Sequence, residues 1–484
     1  MNELSLGPII GGLSHRRVFL WGQAKPDQAG EARLHAWIGR LPDMSDANLE
    51  ETSLPLIPQN GYAGVVPLDG LQADTRYYYA LNLNSHPPAS GEGPLPGGAY
   101  PSLRTFPTPG KPVAFNFAFG SCFRPAGPNS GKIFRALEAR RLADDLRFVL
   151  MIGDQIYADD FEHNSLHKVA ETLDEYRAVY QYVWGWPELR QLLCNLPAFM
   201  TLDDHEVDDD WRWIDQSRRT ATIPWWNALT RFLRGRPLAE ARLPLERVQN
   251  ALQAYWEHQG MHAAPMPQPL EMDPAGRYAL PASDPGSLAY TFEYGPAAFF
   301  VLDTRTMRVR PRWGGARSML GEGQWRLLQD WLLRVKDVYP VKFLVSSCSL
   351  LHDLWIDIPK DRWSGYPHER DRLLHFIAAN GVQGLYVLAG DLHSGHAIYA
   401  DLYTPSGKDL PLWEFCSSPF EQKPNILAGW TRVKIHNGLL KRQERRFFCA
   451  EPNFGVVRVD VPVNGKADVK FQLYGRTGDL LAET

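Results

Sequence analysis

Through residues 1–109, apolar and polar positions alternate in short runs broken by turn residues. That is the pattern of antiparallel strands with one face buried. Arg17–Gly22 and Ala32–Trp37 read as two such strands. Val66–Leu71 leads through a turn into Asp74–Leu81, with Tyr77, Tyr78 and Tyr79 in the second strand. The proline- and glycine-rich run from His86 to Pro101 predicts a long loop, and Phe106–Gly110 predicts a linker.

After the linker the pattern lengthens. Ala114–Phe119 alternates, Ile133–Asp145 has one apolar face at helical spacing, and Phe148–Ile152 is an unbroken apolar run. Strand, helix, strand in that order predicts a parallel or mixed sheet. Residues 170–195 read as helical, and Pro197–Leu202 as the next strand. Trp211–Glu257 reads as helical and is rich in Arg and Trp, and residues 260–286 read as a long loop. Strands are predicted at Leu288–Tyr294, Ala298–Leu302, Phe343–Ser347, Leu385–Ala389, Leu412–Phe415, Val456–Val461 and Val469–Leu473. Helices are predicted at Glu322–Asp337 and Asp371–Ala379. The expected architecture is a β-sandwich over 1–109 followed by an α/β domain over 110–484, with no internal repeat.

Composition narrows the partners. A chain of 484 residues exceeds one ordinary core. A net charge of -4 and a pI near 6.4 give no overall basic balance of the kind nucleic acid binding favours, and no nucleic-acid-binding patch is evident in the sequence. The five cysteines, at 122, 194, 348, 416 and 449, include no CxxC pair. That argues against a disulfide framework and against a zinc ribbon. No apolar run approaches the ~20 residues that span a bilayer. The first residues carry no secretory pattern, so cytoplasmic residence is the expectation.

The chemistry gathers at strand ends. Gly153 breaks the Phe148–Ile152 strand, and Asp154 and Tyr157 follow. Three more strands end in Cys122, in Asp204 with His205, and in Asp391 with His393. In open α/β sheets that carboxyl edge is where ligands bind. Each residue alone has a bland reading: a turn carboxylate, a packed phenol, a buried structural cysteine or a core histidine. Four such ends would converge if the strands lie side by side in the sheet. Thiolate, phenolate and imidazole suit a transition metal, and carboxylates suit a hard cation. Cys122, Tyr157 and His393 then make one site, with Fe3+ favoured. Asp204 and Asp391 make an oxygen-rich second site, and Asp154 can bridge. Asp208, Asp209 and Asp210 read as a solvated acidic turn or as ligands of a further hard cation. Arg124 and Arg305, just past strand ends, suit either a phosphate clamp or an ion pair with the carboxylates. His352 and His396 read as structural. Trp355, Trp363 and Tyr366, in the loop Leu354–His368, read as a cover or as core. A cysteine phosphatase would need Arg six residues after Cys122, where Pro128 stands. The run Gly127–Lys132 is one residue short of a P-loop and continues with Ile133.

Gly153-Asp154-Gln155-Ile156-Tyr157 resembles the GDxxY block of calcineurin-like metallophosphatases such as the purple acid phosphatases. Asp204-His205-Glu206 stands where they have Asn-His-Glu, and Gly390-Asp391-Leu392-His393 where they have Gly-His-x-His. The fuller set is similar to the PhoD-like alkaline phosphatases: FGSC at 119–122, GDQIYAD at 153–159, DDHEV at 203–207, DTR at 303–305 and GDLH at 390–393. The phrase from Leu71 to the Tyr77 strand resembles a fibronectin type III domain. These resemblances imply a four-layer α/β/β/α metallophosphatase domain preceded by a small fibronectin- or Ig-like β-sandwich. They imply Fe3+ on Cys122, Tyr157 and His393, Asp154 as the bridge, and Ca2+ held also by Asp204 and Asp391, with Mg2+ or Mn2+ as substitutes. His205 would stand beside the phosphate and assist the leaving oxygen. The implied reaction is attack of a metal-held hydroxide on a phosphate mono- or diester. Other classes fit less well: an inactive module binding a phosphorylated or glycan partner, or a metallo-hydrolase of other esters or amides. Ser121-Cys122 replaces the wider superfamily's Asp-x-His, and no histidine follows Val345-Ser346-Ser347 directly. The change at Ser121-Cys122 and the Asp204 that replaces Asn trade nitrogen or amide ligands for sulfur or carboxylate, which argues against a dizinc or iron–zinc centre.

Overall fold

The N-terminal alternation folds into two antiparallel sheets in this computed structural model. The strands are β1 (Leu6–Gly11), β2 (Val18–Gln23), β3 (His35–Gly39), β4 (Asn48–Thr52), β5 (Ala63–Leu68), β6 (Arg76–Asn82) and β7 (Ser102–Arg104). They pair in the orders β1-β2-β5 and β4-β3-β6-β7. The inward positions of both, among them Leu20, Val66, Ala36 and Tyr79, are buried in one apolar cluster, as a sandwich requires. The structure describes residues 4–25, 32–83, 85–127, 130–211, 213–215, 220–222, 229, 242–266, 271–272, 278–279, 287–308, 317–352, 362–430, 435 and 438–484. Trp355, Pro128 and most of the 354–368 loop lie outside these residues.

Two larger sheets follow. The first contains β8 (Phe115–Gly120), β9 (Leu146–Ile152), β10 (Ala198–Thr201), β23 (Asn453–Asp460), β24 (Asp468–Gly475) and β25 (Leu480–Glu483), in the order β10-β9-β8-β23-β24-β25. Three short strands, β11 (Trp213–Asp215), β12 (Thr220–Thr222) and β13 (Arg242–Pro244), form a small sheet of their own, and β14 (Glu271–Met272) pairs with β15 (Tyr278–Ala279). The second large sheet contains β16 (Tyr290–Tyr294), β17 (Ala297–Val301), β18 (Val341–Ser346), β19 (Leu385–Ala389), β20 (Gly395–Tyr403), β21 (Asp409–Cys416) and β22 (Leu440–Cys449), in the order β16-β17-β18-β19-β21-β20-β22. The two sheets face each other across stacked phenylalanines. Phe199 and Phe292 lie 3.8 Å apart, and Phe117 meets Phe343 edge-on at 5.2 Å.

Helices cover both outer faces. On the first sheet lie α1 (Lys132–Ala143), α2 (Leu173–Trp184), α3 (Pro187–Leu193) and α4 (Leu245–His258). On the second lie α5 (Gly321–Val335) and α6 (Pro367–Ala379). Thr172 and Glu175 form a capping box that starts α2, and Tyr176, Val179, Tyr180 and Val183 give it one buried face. The result is the four-layer α/β/β/α arrangement behind a sandwich.

Several expectations fail for physical reasons. Among the described residues of 211–257, α4 and Leu229 are helical, while β11, β12 and β13 are strands. Thr220 and Thr222 are β-branched, and Pro244 stops the strand just ahead of α4. The 260–286 run is not wholly loop, because β14 and β15 pair within it. β20 went unread because it is buried along most of its length and does not alternate. β22 is an edge strand carrying Lys441, Arg442, Arg445 and Arg446, where charge protects the edge. Phe106, read as linker, is fully buried and packs on Tyr294 at 4.7 Å and Phe148 at 5.6 Å.

The sheet register fixes the site. β8, β9 and β10 run parallel, with Gly120 beside Met151 and Thr201 beside Ile152. β18, β19 and β21 also run parallel, with Ser346 beside Ala389 and Ala389 beside Cys416. The metal-capable strand ends therefore do not all belong to one sheet. Three end the first sheet, the fourth ends the second, and they meet across the seam.

Candidate metal centre

Cys122, Asp154, Asp391 and His393 each leave their strand with a positive φ, at +63°, +54°, +66° and +50°. The left-handed region costs a non-glycine residue about 1–3 kcal/mol when neighbours hold it there. Here it turns each side chain back over the strand edge. Gly153 and Gly390 let the loops meet. A Cβ on Gly153 would lie 2.5 Å from Asp203 Cβ, and one on Gly390 would lie 2.5 Å from Ser121 Oγ.

The loops bring the expected residues into one cluster. The Cys122 thiol donates to Asp154 Oδ2 at 3.2 Å, and the Tyr157 hydroxyl donates to the same oxygen at 3.3 Å. Tyr157 Oη lies 3.3 Å from His393 Nε2. Donor atoms of Cys122, Asp154 and His393 lie within 4.8 Å of one another. The same holds for Asp154, Asp204 and His205, for Asp203, Asp204 and Asp391, and for Asp204, Asp209 and Asp210. Asp154 and Asp204 thus join a soft-donor group to an oxygen-rich one.

Electrostatics match a place made for cations. Burial pushes the Cys122 thiol up to about 12 and Asp391 up to about 7. Burial also drives Asp154 and Tyr157 well above their ordinary values. His393 is pushed down to about 4, by burial and then by the charge of His205. Asp204 goes the other way: burial opposes its charge, but Arg305 and His205 outweigh it and hold the carboxylate below its usual range. Left to themselves, Cys122, Asp154, Tyr157 and Asp391 hold their protons more tightly than usual, while His393 and Asp204 give theirs up. Multivalent cations reverse the first preference by binding the deprotonated forms.

His205 has its own support. Its Nδ1 lies 2.8 Å from Asp159 Oδ1, and its ring stacks 4.1 Å from Tyr157. Burial lowers its basicity, but Asp159, Asp204 and Asp154 overcome this and raise it well above the ordinary histidine value. Beneath the site, Glu206 accepts from the backbone N–H of Asp154, Gln155 and Asp203 at 3.2, 2.8 and 2.9 Å. One buried carboxylate therefore ties the ends of β9 and β10 together. Ser121 and Ser418 hydroxyls lie 3.2 Å from Cys122 Sγ, and they accept from the N–H of Asp391 and His393.

A PhoD-like phosphatase family model matches residues 117–471, which contain every ligand group described above. The chain belongs to the PhoD-like phosphatase family. It is 25% identical over 380 residues to alkaline phosphatase D of Bacillus subtilis (strain 168). That alignment covers 72% of this chain and 57% of the relative, so it spans little more than half of that protein's length. The fold is that of a solved PhoD structure, with a TM-score of 0.70 at 20% identity over 100% of this chain and 93% of that one. It is also similar to a purple acid phosphatase from yellow lupin (Lupinus luteus) seeds, with a TM-score of 0.57 at 12% identity over 98% of this chain and 73% of that one.

Within this PhoD-like frame the remaining predicted residues divide. Arg305 is fully buried, pairs with Asp203, and lies 3.5 Å from Asp204. Arg124 pairs with Asp160 at 2.7 Å. Both arginines thus sit in the ion-pair arrangement. Asp208 does not form a solvated turn: it is buried and bonds Arg247 at 2.6 Å, while Asp209 and Asp210 face Asp204. His352 and His396 lie apart, stacked 5.5 Å from each other, with His396 on Glu414 at 3.1 Å. Trp363 and Tyr366 are core residues. Sequence reading missed Asp159, Asp203 and Glu206. The signal was present for the first, since Asp159 completes the GDQIYAD motif. Where the wider superfamily has a histidine after β18, Ser347 donates to Asp203 at 2.7 Å.

Proposed function

We propose that this PhoD-like chain is a metal-dependent hydrolase of phosphate mono- or diesters. One observation carries the reading: Asp154 lies within 4.8 Å of Cys122 and His393 in one donor group and of Asp204 and His205 in the next, and Asp204 in turn joins Asp203 and Asp391. The donors fit Fe3+ on Cys122, Tyr157 and His393 and Ca2+ on Asp204 and Asp391, with Asp154 between them. Mg2+ or Mn2+ would suit the same oxygens. When bound, such cations activate water and neutralise charge on a phosphoryl group.

The protein's own part follows from its geometry. Asp159 takes one nitrogen of His205 and leaves Nε2 to carry a proton toward the leaving oxygen. The raised basicity of His205 keeps that proton available near neutral pH. Asp154 and His205 are the residues the reaction would miss most. We keep the boundary between sandwich and hydrolase domain at 109/110. The five cysteines form no disulfide, which supports a reducing, cytoplasmic location. Among the described residues no helix is long and apolar enough to cross a membrane.

The test is elemental analysis of protein purified without added metal, followed by turnover of p-nitrophenyl phosphate and its bis-ester. Iron with a second cation, and hydrolysis of at least one ester, is the expected result. A metal-free protein that stays inactive after reloading would point to a binding module. Cleavage of carboxylic esters or amides, with both phosphate esters untouched, would also end the reading.

A further inference from the structure

The sandwich meets the C-terminal end of α4, where Glu257, His258 and Gln259 follow one another. Glu257 is fully buried, and Arg177 of α2 donates to both of its oxygens at 2.7 Å. A two-point pair between planar groups fixes direction as well as distance. The same guanidinium donates to the carbonyls of Pro58 and Gln59 at 3.3 and 3.0 Å, in the sandwich loop between β4 and β5. From β2, Trp21 Nε1 donates to the Glu257 carbonyl at 2.8 Å. Sandwich, α2 and α4 are therefore joined at one residue.

From there the contacts run on to the metal-capable loops. Gln259 is fully buried, and its Nε2 donates to Tyr180 Oη at 2.9 Å and to Glu206 Oε1 at 3.3 Å. An amide nitrogen carries two hydrogens, so both are used. A flipped amide would set oxygen against the carboxylate, which fixes the orientation of the group. Glu206 Oε1 also accepts from the N–H of Gln155, and Oε2 accepts from those of Asp154 and Asp203. Each carboxylate oxygen thus takes two donors, and one of the four comes from Gln259. The Gln259 Oε1 is buried without a hydrogen-bond partner among the described residues. A hydrocarbon side chain would avoid that cost, so what the amide adds at this position is its donors.

We propose that Gln259 is a positioning residue of this centre, and that the N-terminal sandwich acts on catalysis through it. The path starts at Trp21 and the Pro58 and Gln59 carbonyls. It passes through Glu257 and Gln259 to Glu206, and ends at the backbone that presents Asp154 and Asp203. Every step along it is a buried or partly buried hydrogen bond, and such networks hold geometry when each member is satisfied. The kinetic consequence rests on the phosphatase reading above, whereas the hold on the backbone does not.

The experiment uses the full chain with three substitutions. Gln259→Leu removes both side-chain donors at similar volume, and Trp21→Phe removes the indole N–H. Leu328→Ala, in the core under α5, is the control for a general loss of stability. Amide hydrogen exchange is read by mass spectrometry on peptides covering 153–156 and 203–206. Turnover of p-nitrophenyl phosphate and its bis-ester is measured well below each protein's unfolding temperature. In Gln259→Leu those peptides should exchange severalfold faster. Its kcat should fall about tenfold, the low end for an outer partner of a metal ligand, with KM little changed. Trp21→Phe should shift both readings the same way by less, and the double variant should be no worse than Gln259→Leu, since changes on one path do not add. If Gln259→Leu does not fold, Trp21→Phe decides by the same two readings. Wild-type exchange in both variants would overturn the proposal, and so would an equal effect from Leu328→Ala. Strictly additive losses would remove the sandwich from the path. Faster exchange in a protein whose wild type cleaves neither ester would uphold the hold on the backbone and end the phosphatase reading instead.

Discussion

Two groups of titratable side chains are buried in this chain, and they differ in kind. At the seam between the sheets, Cys122, Asp154, Tyr157, Asp204, Asp391 and His393 crowd together, and Cys122 and Asp204 repel the charge on Asp154. Where the sandwich meets α4, His258 and His262 sit among aromatic rings. Tyr180 stacks on His258 at 4.2 Å, Trp21 lies within 5.9 and 6.1 Å of the two imidazoles, and Trp21 Nε1 donates to the Glu257 carbonyl at 2.8 Å. Burial pushes His258 down to about 3 and His262 down to about 4, so both stay neutral. Burial alone thus marks structure. Convergent acids on left-handed backbone, able to settle only around cations, mark chemistry.

The sharpest break in that contrast would come from Asp154→Asn. It removes the carboxylate shared by both donor groups. Turnover should fall by more than about 100-fold, the upper range for losing an outer partner of a metal ligand. Near-wild-type rates would show that the two groups do not work as a pair.

Asp159→Asn should cost less, about 10–100-fold in kcat. It also carries a pH signature. Asp159 helps raise the basicity of His205, so its loss lowers that value. A proton donor loses activity as pH rises through its pKa, so the alkaline limb should move to lower pH. A limb that stays in place would take His205 out of the donor role.

A milder test concerns the phenol. With iron bound, Tyr157→Phe should abolish a visible tyrosinate charge-transfer band while leaving Asp204 and Asp391 to hold the second cation. Metal analysis and an absorption spectrum decide it. A variant that keeps its colour would place the phenol outside the iron's ligands.

The smallest effect belongs to the histidine pair. Their folded values lie below the ordinary 6.5. Folding therefore excludes protons, and the stability they contribute is full above pH 6.5 and declines as pH falls. By pH 5 each histidine should have removed about 2 kcal/mol. His258→Gln should flatten the acid side of the stability profile in denaturant titrations at pH 7 and pH 5. An unchanged slope would mean that the pair already carries its protons when folded.

How much of this was legible in advance can be argued residue by residue. Phe148–Ile152 and Leu385–Ala389 were plain because an unbroken apolar run followed by glycine has few readings. Asp154, Tyr157, Asp204, His205 and Asp391 stood out because four strand ends carry metal-capable donors, although any one such end is ordinary. β22 was hidden because an edge strand needs no apolar pattern. The duties of Arg124 and Arg305 stayed open in sequence because an arginine past a strand end reads alike with or without a carboxylate beside it.

The sequence alone determined the alternation of strands and helices, and which donors stand at strand ends. These are local properties, set by spacing and by the chemistry of neighbouring residues. Only the tertiary structure decided that the ends of two different sheets face one another across a seam. It alone showed Glu206 tying backbone from β9 and β10, and Asp159 holding His205. Such pairings join residues distant in sequence, and they exist only once packing has fixed which edges meet.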